Sequence, residues 1–157
     1  LLERAGTGSS GGNITGLFTV LVEGDDTNEP VSDTARGILD GHVIMDRRIA
    51  EGGRYPAIDI LRSVSRSAPG CYEPHERKLV QRARSLMQAY SEMAELIELG
   101  AYRSGSNPRV DEAIAIRPQL EALLAQDLDD ATATAGLDPF DELSHILNPS
   151  AGTGSSR

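Results

Sequence analysis

The sequence predicts an α/β segment followed by an all-α helical bundle, and three observations carry that prediction. Up to about residue 69, short apolar β-branched runs alternate with capped helical stretches, which is the rhythm of an α/β unit. Strand signals cease at Pro69-Gly70. Beyond that point Leu79, Ala83, Leu86, Tyr90, Met93 and Ile97 recur at spacings of four, three, four, three and four, one apolar stripe along a long amphipathic helix. The expected division is therefore 1–69 for the α/β part, 70–128 for the helical part, and 129–157 for a flexible tail that carries one short amphipathic helix at 137–147.

Taken in order, Glu3 to Gly12 holds Gly6, Gly8, Gly11, Gly12 and Ser9-Ser10, a composition that reads as a mobile loop without regular structure. Its Ala-Gly-Thr-Gly-Ser-Ser letters return at Ala151 to Ser156, a low-complexity coincidence with no periodic repeat behind it. Asn13 to Glu23 is β-branched and apolar on both faces, as a strand inside a helix-covered sheet would be, and Gly24-Asp25-Asp26 stops it. Ser32 or Asp33 caps a short helix through Thr34, Ala35, Ile38 and Leu39, ended by Gly41. His42 to Met45 is a second short strand, and Asp46 caps a helix through Arg47, Arg48, Ile49 and Ala50 that ends at Gly52-Gly53. The long helix opens at Pro74 and closes at Leu99-Gly100. After a turn over Ser104 to Pro108, Asn107-Pro108 starts a helix with Val110, Ala113 and Ile114 inward. Pro118 is expected to break or kink it, because the ring removes a donor and clashes one turn back, with Leu120, Leu123 and Leu124 continuing the apolar face. In the tail, Leu137, Phe140, Leu143, Ile146 and Leu147 form an amphipathic island.

Composition narrows the chemistry. The 157 residues carry 24 acidic against 15 basic side chains, a formal charge of −9, which leaves little with which to neutralise a phosphate backbone. There is no Trp, and 4 Tyr and 2 Phe are all the aromatics, too few for a base-stacking platform. Nucleic acid is not expected as a partner. One cysteine, Cys71, excludes an internal disulfide and suits a reducing compartment. The longest apolar stretch, Ile14 to Val22, is interrupted by Thr15, Gly16 and Thr19 and falls short of the roughly 20 residues that cross a bilayer, so the chain reads as soluble. No leader and no initiator Met open it, so Leu1 reads as an internal residue and the chain as a fragment.

Catalytic motifs are sparse. No G-x-x-x-x-G-K-[ST], H-E-x-x-H or G-x-S-x-G occurs. Cys71 and His75 could be drawn as a nucleophile pair, but a lone cysteine at a domain joint is more often inert. His42 and His145 read as packing or surface residues. Asp25, Asp26 and Glu29 could ligate a metal, yet acidic residues in a polar loop are usually just solvated, and no metal site is expected. Tyr55 stands directly before Pro56, whose ring pushes its neighbour toward extended backbone and restricts the phenol's direction. From the residues alone it is either an aromatic shelf or a half-buried tyrosine at the joint. Arg66 follows Ser63-Val64-Ser65 where the α/β part closes, and by itself a lone arginine in an acidic chain would be a surface ion-pair partner.

The run Tyr55-Pro56-Ala57-Ile58-Asp59-Ile60-Leu61-Arg62-Ser63-Val64-Ser65-Arg66, after Val22 to Pro30 and Leu39-Asp40-Gly41-His42, resembles the second half of the nucleotide-binding core of the rotary ATP synthase superfamily. From Leu1 to Gln126 the chain looks most like the type III export branch, the flagellar export ATPases. That finer likeness rests on Val22-Glu23-Gly24-Asp25-Asp26-Thr27-Asn28-Glu29-Pro30, on Arg36-Gly37-Ile38-Leu39-Asp40-Gly41-His42, and on Leu99-Gly100-Ala101-Tyr102 with Pro108-Arg109-Val110-Asp111-Glu112-Ala113-Ile114. The Tyr-Pro-Ala and Ser-x-Ser-Arg elements fit synthase subunits equally well.

The resemblance implies the C-terminal part of a RecA-like P-loop core followed by a helical C-terminal domain, from a homohexamer that couples ATP hydrolysis to export of flagellar or secretion substrates. It implies ATP and Mg as cofactors, with the phosphate loop, catalytic glutamate and magnesium aspartate upstream of Leu1, so that this chain alone should not hydrolyse ATP. It makes Tyr55 the adenine-stacking residue and Arg66 an arginine finger acting on the next subunit's nucleotide. Asp26, Asn28 and Glu29 become contacts for a coiled-coil stalk partner, although Asn28 and Glu29 depart from the acidic pattern of the synthase catalytic subunit. Export substrates or their chaperones and the export apparatus are the other implied partners, and the implied place is the bacterial cytoplasm, peripheral to the inner-membrane export gate. A synthase-type catalytic subunit and a non-enzymatic helical adaptor are the alternatives.

Overall fold

The computed structural model describes residues 5–9, 11–22, 30–126 and 138–149. Two short strands open it: β1 (Gly6–Thr7) pairs antiparallel with β2 (Asn13–Ile14), Gly6 opposite Ile14 and Thr7 opposite Asn13. The glycine-rich loop thus holds a small ladder, contrary to its composition, and Gly8 N donates to Gly12 O at 2.6 Å inside the turn. The expected strand from Asn13 to Glu23 is regular only at its first two residues. Residues 15–22 have no regular structure, Leu17 and Leu21 are 95% and 91% exposed, and Glu23 lies outside the described residues. An apolar run forms a strand only when neighbours pair with it, and among the described residues β1 is its only ladder partner.

Helix α1 (Pro30–Ile38) packs Ala35 inward. It leads into β3 (Gly41–Met45), then α2 (Arg47–Glu51), then β4 (Ile58–Ser65), a strand that the apolar patterning did not announce. Strands β3 and β4 are antiparallel, so the α/β rhythm here ends in a two-stranded pair and not a parallel crossover. Gly41 is required at its position, because a Cβ there would stand 2.7 Å from Val64 O across the ladder.

Register explains why β4 was hidden. His42 faces Val64 and Ile44 faces Asp59, so four residues of β4, 60–63, bulge out against the single Val43. The polar groups that the bulge frees are satisfied by side chains instead of ladder partners. Ile44 N donates to Ser63 Oγ at 3.0 Å, and Ser63 Oγ donates to Asp59 O at 2.6 Å. Asp59 Oδ1 accepts from Leu61 N and Arg62 N at 2.9 and 3.0 Å. The carbonyls of Ile60 and Leu61 accept from the Arg84 guanidinium at 2.7 and 3.2 Å. Hydrophilic Asp59 and Ser63 break the apolar alternation because the bulge needs them.

After the short α3 (Ala68–Cys71), three helices form the main core: α4 (Pro74–Glu98), α5 (Pro108–Leu124) and α6 (Pro139–Leu147). Each starts on a side-chain cap, which satisfies first-turn N–H groups that have no intrahelical acceptor. Glu73 and Glu76 form a reciprocal capping box on α4, Asn107 Oδ1 accepts from Arg109 N at 3.0 Å, and Asp138 Oδ1 accepts from Phe140 N at 2.9 Å. Helix α4 ends where Gly100, at φ +68°, takes the left-handed turn and the Gly100 and Ala101 amides cap Ile97 and Leu96.

The predicted stripe is the packing face. Ala83, Leu86 and Ala89 of α4 meet Val110, Ala113 and Leu120 of α5 and Leu143, Ile146 and Leu147 of α6, with Leu79, Tyr90, Met93 and Ile97 packed against them. Helix α5 runs through Pro118 unbroken: the buried residues on both sides, Val110 and Ala113 before it and Leu120 after it, hold the turn that the missing hydrogen bond weakens. Helix α6 does not sit in a detached tail. It closes the core, and outside it Tyr72 meets Phe140 edge-on with ring centroids 5.6 Å apart. Arg82 ties the three helices from the surface, donating to Glu112 Oε1 at 2.6 Å and Asn148 Oδ1 at 2.9 Å.

Candidate functional site

The segment between α2 and β4 is built by local capping. Asp46 Oδ1 accepts from Arg48 N at 2.9 Å to start α2, and Gly52 N and Gly53 N donate to Arg48 O and Ala50 O to end it. Asp46 N donates to Ala57 O at 2.9 Å, which turns the chain back toward β3 and buries Ala57 to 6% exposure. Between these anchors stand Arg54, Tyr55 and Pro56, with a cis peptide bond before Pro56.

Tyr55 is 58% exposed, and its hydroxyl has no hydrogen bond to any described residue. Its backbone is fixed: Tyr55 O accepts from Gln126 N, just past the end of α5, at 2.7 Å. The phenol is therefore an open ring face on a pinned backbone at the joint of the two parts. Arg66 leaves the far end of β4, where its N donates to Asp40 O at 2.9 Å. Its exposed guanidinium pairs with no described residue. The structure does not bring these two side chains together. They stand beyond the two ends of β4, whose 8 residues lie opposite the 5 of β3 because of the bulge, about 13 Å of strand. Asp26, Asn28 and Glu29 lie outside the described residues.

Beside Tyr55 is a set of residues that the sequence reading did not single out. Arg54, with its side chain 13% exposed, makes an ion pair from Nε to Glu121 Oε2 of α5 at 2.9 Å and donates from Nη2 to Ile58 O at 2.9 Å. Glu121 Oε1 stands 3.5 Å from Arg117, whose guanidinium lies 3.9 Å over the Tyr90 ring. Nothing local in the sequence links Arg54 to Glu121; the one visible signal is that Arg54 immediately precedes Tyr55-Pro56.

Behind this set is a cleft of about 440 Å³ between the α2–β4 segment and helices α4 and α5, lined by Arg54, Ile60, Arg62, Gln88, Arg117 and Glu121 among others. Neither Tyr55 nor Arg66 lines it. Cys71 is exposed, and no bond joins it to His75. Among the described residues no group of three or more His, Cys, Asp or Glu converges as metal ligands, and no helix is long and apolar enough to cross a membrane.

Comparison with known proteins assigns both parts. Residues 1–65 match the ATP synthase alpha/beta family, nucleotide-binding domain, and residues 72–136 match the T3SS EscN ATPase C-terminal domain. The flagellum-specific ATP synthase of Caulobacter vibrioides is 55% identical over 153 residues, 94% of this chain and 34% of that protein. The assembled ATPase EscN of the enteropathogenic E. coli type III secretion system superposes with a TM-score of 0.79 at 32% identity, over 93% of this chain and 35% of that one. EscN in complex with its central stalk EscO gives a TM-score of 0.74 at 30% identity, over 93% and 34%. The chain spans about a third of the length of the curated relatives it matches.

Proposed function

Because the chain belongs to the ATP synthase alpha/beta family in its type III export branch, we propose that it is the adenine-binding and helical part of a hexameric ATPase that drives flagellar or type III protein export. Hydrolysis of bound Mg-ATP supplies the energy. The groups that would hold its phosphates and magnesium are not among the residues described above; among the described residues the groups proposed for the nucleotide are the Tyr55 ring and the Arg66 cation.

Tyr55 stacks on the adenine. Stacking needs a free aromatic face on a backbone that does not give way, and the exposed ring with its carbonyl held by Gln126 meets that requirement. Arg66 acts across the subunit boundary on the neighbour's nucleotide. Its planar, permanently charged fork suits charge spread over equatorial phosphoryl oxygens. The observation that carries the reading is the separation of these two groups at opposite ends of β4. Two exposed side chains placed apart support a division of labour in a ring, in which each subunit stacks its own base and completes the next site. Asp26, Asn28 and Glu29 are proposed to meet a coiled-coil stalk; support comes from the neighbour solved with its central stalk EscO. Export substrates or chaperones would be received by the assembly at the inner-membrane gate.

The test is nucleotide affinity in the assembled enzyme. Tyr55→Ala weakens ATP binding by about 1–3 kcal/mol, the range for aromatic–base stacking, while Tyr55→Phe, which keeps the ring face, binds like the parent. Equal loss in both variants would assign the role to the hydroxyl, and no loss in either would remove Tyr55 from the site.

A further inference from the structure

We infer that Arg54 and Glu121 are positioning residues that hold the Tyr55 shelf against the end of helix α5, so that affinity for the adenine, and not for the phosphates, depends on this pair. The inference rests on the proposed role of Tyr55 and adds residues that no local pattern marks. Arg54 is covalently adjacent to Tyr55, and its guanidinium bonds two elements. Nε faces Glu121 Oε2 on α5 at 2.9 Å, and Nη2 donates to Ile58 O at the start of β4, also at 2.9 Å. Gln126 N, five residues beyond Glu121 on the same exit from α5, donates to Tyr55 O at 2.7 Å. Two tethers, one through the Arg54 side chain and one through the Tyr55 carbonyl, therefore fix the short Arg54-Tyr55 backbone to one end of α5.

The pair is shielded enough to act. The Arg54 side chain is 13% exposed and that of Glu121 36%, so the contact is screened less than a surface pair. A planar fork with two acceptors in fixed directions sets orientation as well as distance. Glu121 is itself held from the other side by Arg117 at 3.5 Å, which lies on Tyr90 of α4. Release of Arg54 from Glu121 leaves the Tyr55 ring intact but frees its backbone on one side, and the entropy of ordering it is then charged to nucleotide binding.

The test uses the assembled full-length enzyme and two probes, Mg-ATP and Mg-tripolyphosphate, which shares the phosphate chain but has no base. Arg54→Ala and Glu121→Ala should each raise the Kd of ATP about five- to tenfold and leave the Kd of tripolyphosphate unchanged. The double variant should weaken ATP no more than either single one, since the two side chains act as one contact. Arg54→Lys, which keeps the ion pair and loses the fork, should fall between parent and Arg54→Ala. Weakening of both probes alike would mean the pair only maintains the fold, and additive losses in the double variant would mean two unrelated effects; either overturns the inference. Tyr55→Ala is run alongside: if it leaves ATP affinity unchanged the shelf itself fails, whereas a loss there with none in Arg54→Ala refutes only the positioning role.

Discussion

The packing of α6 into the helical core can be tested by truncating one side chain. Leu147 is 3% exposed and lies in the same cluster as Leu86 of α4 and Val110 of α5. Leu147→Ala removes three carbons from a nearly dry site. At about 0.8 kcal/mol for each buried methylene, transfer alone costs about 2.4 kcal/mol. The cavity left behind adds to that, because the rigid helices around it relax only in part, so the total falls at about 3–4 kcal/mol, within the range known for buried leucines. Leu99→Ala supplies the control: this leucine is 74% exposed at the end of α4, and its loss should stay within about 0.5 kcal/mol. Both variants are unfolded in urea while helix content is followed by circular dichroism, with the change in midpoint converted through a common slope. A Leu147→Ala loss as small as that of Leu99→Ala would refute the placement of α6, and with it the closure of the core by a segment whose surrounding composition reads as tail.

Two further outcomes follow from other parts of the molecule. Arg66→Ala should leave ATP affinity of the separated subunit unchanged and abolish the rise in hydrolysis on assembly; mixed with a subunit disabled in its own phosphate loop it should recover activity that neither parent has, and confirmed mixed rings without recovery would place Arg66 within its own site. Arg84→Ala should destabilise the β3–β4 pair by about 1–3 kcal/mol, since the Ile60 and Leu61 carbonyls lose a charged donor, and amide exchange across β4 that matches the parent would refute it.

What the sequence made legible was what depends on local pattern. Helix α4 was plain because its stripe repeats from Leu79 to Ile97 of a 25-residue helix, and the start of α5 because Asn107-Pro108 is both a cap and a first-turn proline. Asp46 announced α2 in the same way. The apolar run from Asn13 was misread for the converse reason: β-branched residues register a tendency to be buried in a sheet, but the strands that would pair with them are chosen elsewhere in the chain. Strand β4 stayed hidden because its bulge requires Asp59 and Ser63 where an alternating pattern would put apolar residues. At the candidate site Tyr55 and Arg66 were singled out through family resemblance, while Arg54, Arg84 and Glu121, which set the surroundings of that segment, were not. Ion pairs between distant segments leave no period and no spacing to read.

That difference bears on how the two parts communicate. The helical core is sealed by leucine, isoleucine, valine and alanine, but the joint between it and the β3–β4 pair is crossed by directional polar contacts: Arg84 to Ile60 O and Leu61 O, Arg54 to Glu121, and Gln126 N to Tyr55 O. Each such bond exchanges with water at a net cost of about 0.5–1.5 kcal/mol, up to about 3 where one partner is charged. Parting an apolar core forfeits several buried side chains at about 1.5–3 kcal/mol each. A joint of a few exchangeable bonds beside a cleft of about 440 Å³ lets the helical part shift against the β3–β4 pair while the core stays intact, as the proposed export ATPase would require. All four of those bonds fall on residues 54–61, the Tyr55 segment and the first half of β4. Two of them, Arg54 to Glu121 and Gln126 N to Tyr55 O, tie the Tyr55 segment directly to α5 and its exit, so if Tyr55 has the proposed adenine role, the Arg54–Glu121 pair, and not the cleft itself, is where coupling between base binding and helical movement should be sought.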